Sequence, residues 1–95
     1  MTETIKVIIP AYNEAKSIGK VIKALPSFVN EIIVVDNCST DETAINAQKL
    51  EATVLKEIKS GYGNACLKGV NYINEQKTRT DIVVFIDDIK YKKIS

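Results

Sequence analysis

A three-layer α/β fold built on a mainly parallel sheet is predicted by two features of the sequence. Four short β-branched runs are apolar from end to end, and a helix-period pattern fills each interval between them. Continuous apolar character marks strands covered on both faces, and regular alternation of strand and helix requires parallel neighbours joined by right-handed crossovers. The expected strand order is 3-2-1-4, with helices on both faces. Ligands of such a sheet bind outside the carboxyl ends of its strands, here at the switch point between strands 1 and 4.

The first strand is "IKVII" (5–9). A helix should open at Asn13, a good N-cap, and run to Leu25, since Ile18, Val21, Ile22 and Leu25 share one face and Pro26 stops it. The second strand is "EIIVV" (31–35). In "STDET", Ser39 and Glu42 have capping-box spacing for a helix that continues toward Leu50, with Asp41 and Glu42 as acids of its first turn. The third strand is "ATVL" (52–55); a helix from Asn64 to Gln76 follows, with Ala65, Gly69, Val70 and Ile73 on its packable stripe. "NEQKTRT" connects it to the fourth strand, "DIVVFI" (81–86).

With 95 residues there is room for one domain, and 45% hydrophobic with 26% charged residues is ordinary for a folded core. Thirteen basic against twelve acidic residues leave a net charge of +1, so no global field favours nucleic acid or an anionic membrane, and an anionic ligand must be held locally. No apolar run is long enough to span a bilayer, which sets a cytoplasmic expectation. The chain has no histidine and two cysteines, Cys38 and Cys66, which excludes the usual zinc spacings and any Cys-His or Ser-His pair. Both are expected as reduced thiols.

Four polar stretches fall on the same edge of the predicted sheet: "PAYNE" (10–14), "DNCSTDET" (36–43), "KSGYGNA" (59–65) and Asp87-Asp88. Read as a plain connection, "PAYNE" is a strand-to-helix turn; read as a site, it offers a fixed proline, the ring of Tyr12 and the carboxylate of Glu14. Asp36 ends strand 2, where a carboxylate can accept from a base N–H or a ribose hydroxyl, or can simply begin a turn. "GYGNA" sets two glycines at a helix start, either a flexible entry or a place where backbone N–H groups approach a ligand. Asp87 and Asp88 are hard oxygen donors suited to Mg2+ or Mn2+ bridging a diphosphate, although side-chain alternation in a straight strand points only one of them at a given ion. The "KYKK" run (90–93) reads as a solvated tail.

Taken together, "VIIPAYNEAKSIGKVIKALP", "EIIVVDNCSTDETAINAQKLEATVL", "GYGNACLKGV" and "DIVVFID" resemble the N-terminal half of a family 2 glycosyltransferase of the A-type (GT-A) nucleotide-sugar fold. The nearest subgroup is the dolichyl- or polyprenyl-phosphate sugar transferases. The resemblance implies a Rossmann-like half-domain in which Pro10, Ala11, Tyr12 and Glu14 line the nucleoside pocket and Asp36 holds the base. It places Gly61, Gly63 and Asn64 beside the nucleotide and makes Asp87 the first acid of a DxD-like motif, with Asp87 and Asp88 as the metal ligands. The family usually reads Asp, a small residue, Asp; here Ile89 stands where the second acid belongs.

The resemblance also implies that family members continue for about a hundred residues past this motif, a domain's worth that carries the acceptor site. The expectation is therefore a single truncated nucleotide-sugar-binding domain over 1–95, its acceptor half absent, binding a UDP- or GDP-linked sugar with Mg2+ or Mn2+ and weakly active or inactive alone. Membrane contact is expected only through a lipid-linked acceptor. The alternatives are a non-catalytic remnant that self-associates through strand 4 into homo-oligomers, and another nucleotide-dependent transferase. A nucleotidyltransferase would carry a Gly-rich, Arg-containing loop after strand 1, a place that "PAYNE" occupies.

Overall fold

The computed structural model describes residues 3–86. Its elements are β1 (Ile5–Ala11), α1 (Ile18–Ala24), β2 (Glu31–Asp36), α2 (Thr43–Gln48), β3 (Thr53–Lys56), α3 (Tyr62–Glu75) and β4 (Ile82–Phe85). The strands form one sheet in the order β3-β2-β1-β4, every pair parallel, as the alternation predicts. Register runs from Lys6 opposite Glu31 to Ala11 opposite Asp36, so both central strands end at one edge.

The central strands β1 and β2 are covered on both faces. Under α1 and α2, Val7, Ile9 and Ala11 of β1 pack with Ile18, Ile22, Val34 and Ala47. Under α3, Ile8, Ile33 and Val35 pack with Ala65 and Ile73. Successive β1 residues alternate between these cores, as strand geometry requires, and the middles of both central strands are apolar on both faces because both faces are covered there. Gly69 lets α3 sit close on β1: a Cβ there would lie 2.8 Å from Ile8 Cγ2.

The helix starts differ from expectation, each for a local reason. α1 begins at Ile18, not Asn13. Asn13 adopts a left-handed conformation (φ 51°), which asparagine tolerates, and its side chain binds a neighbouring loop instead of a helix start. α2 begins at Thr43, so Asp41 and Glu42 precede its first turn, and Ser39 is no cap because its Oγ accepts from Asn13 N. Asp41 holds that start instead, its Oδ1 accepting from Thr43 N at 3.0 Å and from the Thr43 hydroxyl. α3 opens two residues early, at Tyr62.

β4 departs from the expectation of burial on both faces. Ile82, Val83, Val84 and Phe85 are each 38–43% exposed, because β4 pairs only with β1 and no helix covers it among the described residues. Asp81 ties its start to the sheet: Oδ2 accepts from Thr4 N at 2.8 Å, and that bond, with the Arg79 guanidinium 2.7 Å from Oδ1, draws its pKa below the usual aspartate value.

At the opposite edge from the carboxyl ends lies a polar knot. Lys6 is buried, its Nζ 3.3 Å from Glu31 Oε1 and hydrogen-bonded to Gln76 Oε1. Glu31 Oε2 accepts from Tyr72 OH at 2.6 Å and from Thr53 Oγ1 at 2.8 Å. One carboxylate thus links β1, β2, β3 and the last turns of α3.

Candidate functional site

The carboxyl ends of β1 and β2 open into a cleft of about 440 Å³, a size suited to a small organic ligand. β1 supplies one wall through Pro10 and Ala11, then Tyr12 and Glu14 from the turn beyond. Asn37 and Cys38 follow β2 on the second wall, and Ser60, Gly61 and Tyr62 close it from the start of α3. Tyr12 is 59% and Tyr62 49% exposed, so two aromatic rings stand at the cleft with part of their surface in solvent.

The walls are held by polar side chains of the two post-strand loops. Asn13 N donates to Ser39 Oγ (2.9 Å), Glu14 N to Thr43 Oγ1 (2.9 Å) and Ala15 N to Asp41 Oδ2 (3.2 Å), while Thr40 N returns a bond to Asn13 Oδ1 (2.8 Å). The bond from the Thr43 hydroxyl, ahead of the backbone bonds from Thr43 and Ala15, keeps the Asp41 pKa below the usual aspartate value. "DNCSTDET" therefore serves chiefly to fasten "PAYNE" in place, and Glu14 O anchors the following turn by accepting from Ser17 N and Ile18 N.

Asn37 is the residue that sequence reasoning passed over. It is buried; Nδ2 donates to Glu57 O (3.0 Å) and Lys59 O (2.9 Å), and Oδ1 accepts from Gly61 N (2.8 Å). Those three bonds fix the loop before α3 against the end of β2. Gly61 there has φ 124°, a conformation that side-chain-bearing residues rarely adopt. An asparagine directly after the strand-ending acid, followed by a glycine helix entry, was the available signal. Cys38 also lies in the left-handed region (φ 70°), with Sγ 3.3 Å from Ile58 O, and both cysteines are free thiols.

Of the residues predicted for the site, Pro10, Ala11, Tyr12, Glu14 and Gly61 line the cleft. Asp36 lines a smaller adjoining depression with Cys38, Ser39 and Lys56. It is 4% exposed; Oδ1 accepts from Ser39 N at 3.2 Å, and Oδ2 has no hydrogen-bond partner among the described residues. Gly63 and Asn64 belong to the first turn of α3 and lie outside the cleft lining, where Asn64 Nδ2 bonds back to Ser60 O (3.1 Å). Asp87 and Asp88 lie outside the described residues, as does "KYKK". Ile86 N donates to Ile8 O at 3.0 Å, which keeps the chain beyond β4 paired to β1. No cluster of three metal-ligating side chains occurs among the described residues.

A doubly wound parallel domain with its cleft at the carboxyl edge is the class these features define. The chain belongs to glycosyl transferase family 2, which it matches over residues 6–88. It is 38% identical to the 4,4'-diaponeurosporenoate glycosyltransferase of Staphylococcus haemolyticus, with 90% of this chain and 24% of the relative covered. To the glucosyl-3-phosphoglycerate synthase of Mycolicibacterium paratuberculosis it is 35% identical, covering 88% of this chain and 28% of that enzyme. A crystal structure of the Mycobacterium tuberculosis glucosyl-3-phosphoglycerate synthase with Mn2+, UDP and phosphoglyceric acid superposes with a TM-score of 0.73 at 35% identity, covering 90% of this chain and 32% of that one. The same enzyme has been solved with Mg2+ and UDP. The chain thus spans about a quarter to a third of the length of these relatives. Among the described residues, no helix is long and apolar enough to cross a membrane.

Proposed function

We propose that this chain is the donor-binding part of a family 2 glycosyltransferase and takes a UDP-linked sugar, with Mg2+ or Mn2+, in the cleft between β1, β2 and α3. The observation that carries the reading is the near-buried Asp36 carboxylate, one oxygen of which has no hydrogen-bond partner among the described residues, at the strand edge that also bears the aromatic cleft. That oxygen accepts a base N–H, and Tyr12 offers the base a face to stack on, worth about 1–3 kcal/mol. Gly61 and Tyr62 bring the N-terminal end of this 14-residue helix to the cleft, where its dipole favours an anionic diphosphate. Asp87, next in sequence after Ile86, and Asp88 supply carboxylate oxygens of the kind Mg2+ and Mn2+ prefer. When bound, the ion neutralises charge on the leaving diphosphate. Support for UDP over GDP comes from the relatives solved with UDP.

An amide NMR titration with UDP-glucose and GDP-mannose, with and without Mg2+, tests this. UDP-glucose should shift Tyr12, Asn37 and Gly61, and Asp36→Ala should weaken binding at least about tenfold, since a hydrogen bond to a charged group contributes about 1.5–3 kcal/mol. A dispersed spectrum indifferent to both nucleotides removes the reading.

One observation favours a second property, self-association through β4. Among the described residues, β4 is an edge strand of four exposed apolar residues with no lysine or proline in it, a template for pairing between copies. Light scattering should give a mass above the monomer at high concentration, returning to monomer on Val84→Lys. A monomer mass at every concentration excludes this.

A further inference from the structure

The outer face of α1 and α2 carries a groove of about 320 Å³ that has no part in the nucleotide cleft. Lys16, in the turn entering α1, and Lys20 and Lys23 on α1 follow at intervals of four and three, which places them on one stripe. Lys49, the C-cap residue of α2, lines the same groove with Asn46 and Leu50. All four lysines are exposed, none is in an ion pair among the described residues, and no carboxylate lines the groove. In a chain of net charge +1, four charges of one sign on one face are a concentrated local field.

We propose that this face docks the protein onto an anionic phospholipid membrane surface. Charge complementarity fixes the sign of the partner. Its extended form follows from the number and exposure of the charges: four exposed ammoniums on flexible stems line one groove, and none of them is buried as a donor fixed on a single phosphate would be. Large apolar side chains are also exposed on these segments: Ile45 on α2 is 51% exposed, and Phe28, in the loop after α1, is 65% exposed. Basic side chains with exposed Ile and Phe match the chemistry of a headgroup layer over acyl chains. Each lysine near such a surface strengthens binding about fivefold, an attraction that salt screens.

The inference stands apart from the nucleotide reading and is tested apart from it, by co-sedimentation with vesicles of phosphatidylcholine alone or with about one-third phosphatidylglycerol. Binding is expected only to the anionic vesicles, falling with added salt. Lys20→Glu/Lys23→Glu should weaken it at least about 25-fold. Lys68→Glu/Lys77→Glu makes the same change in net charge on α3 and just beyond it, and should leave most of the binding. Equal loss in both variants, no binding to anionic vesicles, or groove amides that shift with millimolar inorganic phosphate while vesicles are ignored would each overturn the proposal. Amide spectra of both variants confirm that they are folded before comparison.

Discussion

Asn37→Ala is expected to abolish measurable nucleotide binding and to lower stability by about 3 kcal/mol, although Asn37 contributes little surface of its own to the cleft. The physical reason is the number of partners that one short side chain satisfies. It holds two carbonyls, Glu57 and Lys59, and one N–H, Gly61, and alanine leaves all three without their bond. Leaving a buried polar group unsatisfied costs about 1–3 kcal/mol, and water entering the exposed side of the loop relieves part of the sum. The larger consequence is geometric. Gly61 sits at φ 124° because the Asn37 amide and the entry to α3 hold it there; released, the segment from 57 to 61 relaxes and the third wall of the cleft moves. Urea unfolding measures the first effect and calorimetric titration with UDP the second. A variant that loses the predicted stability and still binds UDP normally would show that the loop wall is not part of the site. Asn37→Asp is the sharper comparison: it keeps the acceptor for Gly61 N and loses the two donations, so its binding should fall between wild type and alanine.

The sheet was legible in the sequence because its signal is local and redundant. β1 and β2 are apolar on both faces, and their neighbours in chain order alternate with helices, which leaves few parallel topologies. Helix starts were not legible, because the capping residues of "PAYNE" and "STDET" spend their side chains across the chain and not along it. Asn13 and Ser39 each have good N-cap chemistry, yet they bind the opposite loop, a choice that depends on two segments 26 residues apart being adjacent. The exposure of β4 was legible only from its place at the sheet edge, since an apolar strand declares that it prefers cover and says nothing about what provides it. The cleft residues Pro10 to Tyr12, and Asp36 in the depression beside them, sit at strand ends, a placement that follows from topology alone. The role of Asn37 does not follow from topology, since it lies wholly in side-chain bonds to a loop twenty residues on.

The other large effect belongs to the far edge of the sheet. Glu31→Ala should cost about 3 kcal/mol at neutral pH, because it leaves Lys6 buried without its counter-charge and strips Tyr72 and Thr53 of their acceptor. Burial opposes ionisation of Glu31, but hydrogen bonds from Tyr72, Thr53, Gln76 and Lys6 together outweigh it and hold the pKa below its ordinary 4.5. A carboxylate whose folded pKa is depressed stabilises the fold fully above its unfolded value and loses that contribution as pH falls through the folded one. The gap between wild type and Glu31→Ala should therefore be widest near neutrality and shrink below pH 4.5. Tyr72 sets a limit on the other side. The bond it donates to Glu31, with burial added, raises its pKa above 10.0, so its contribution is complete below that value and is lost as pH rises through the folded pKa. Urea unfolding at pH 7 and pH 3.5 reads the acid limb; a gap equally wide at both would mean that packing, not charge, is what the alanine removes. Lys6→Met/Glu31→Leu separates the two causes at a single pH. If the loss comes from an uncompensated buried charge, removing both charges and restoring apolar volume should recover most of it, whereas a loss rooted in the hydroxyl partners should persist.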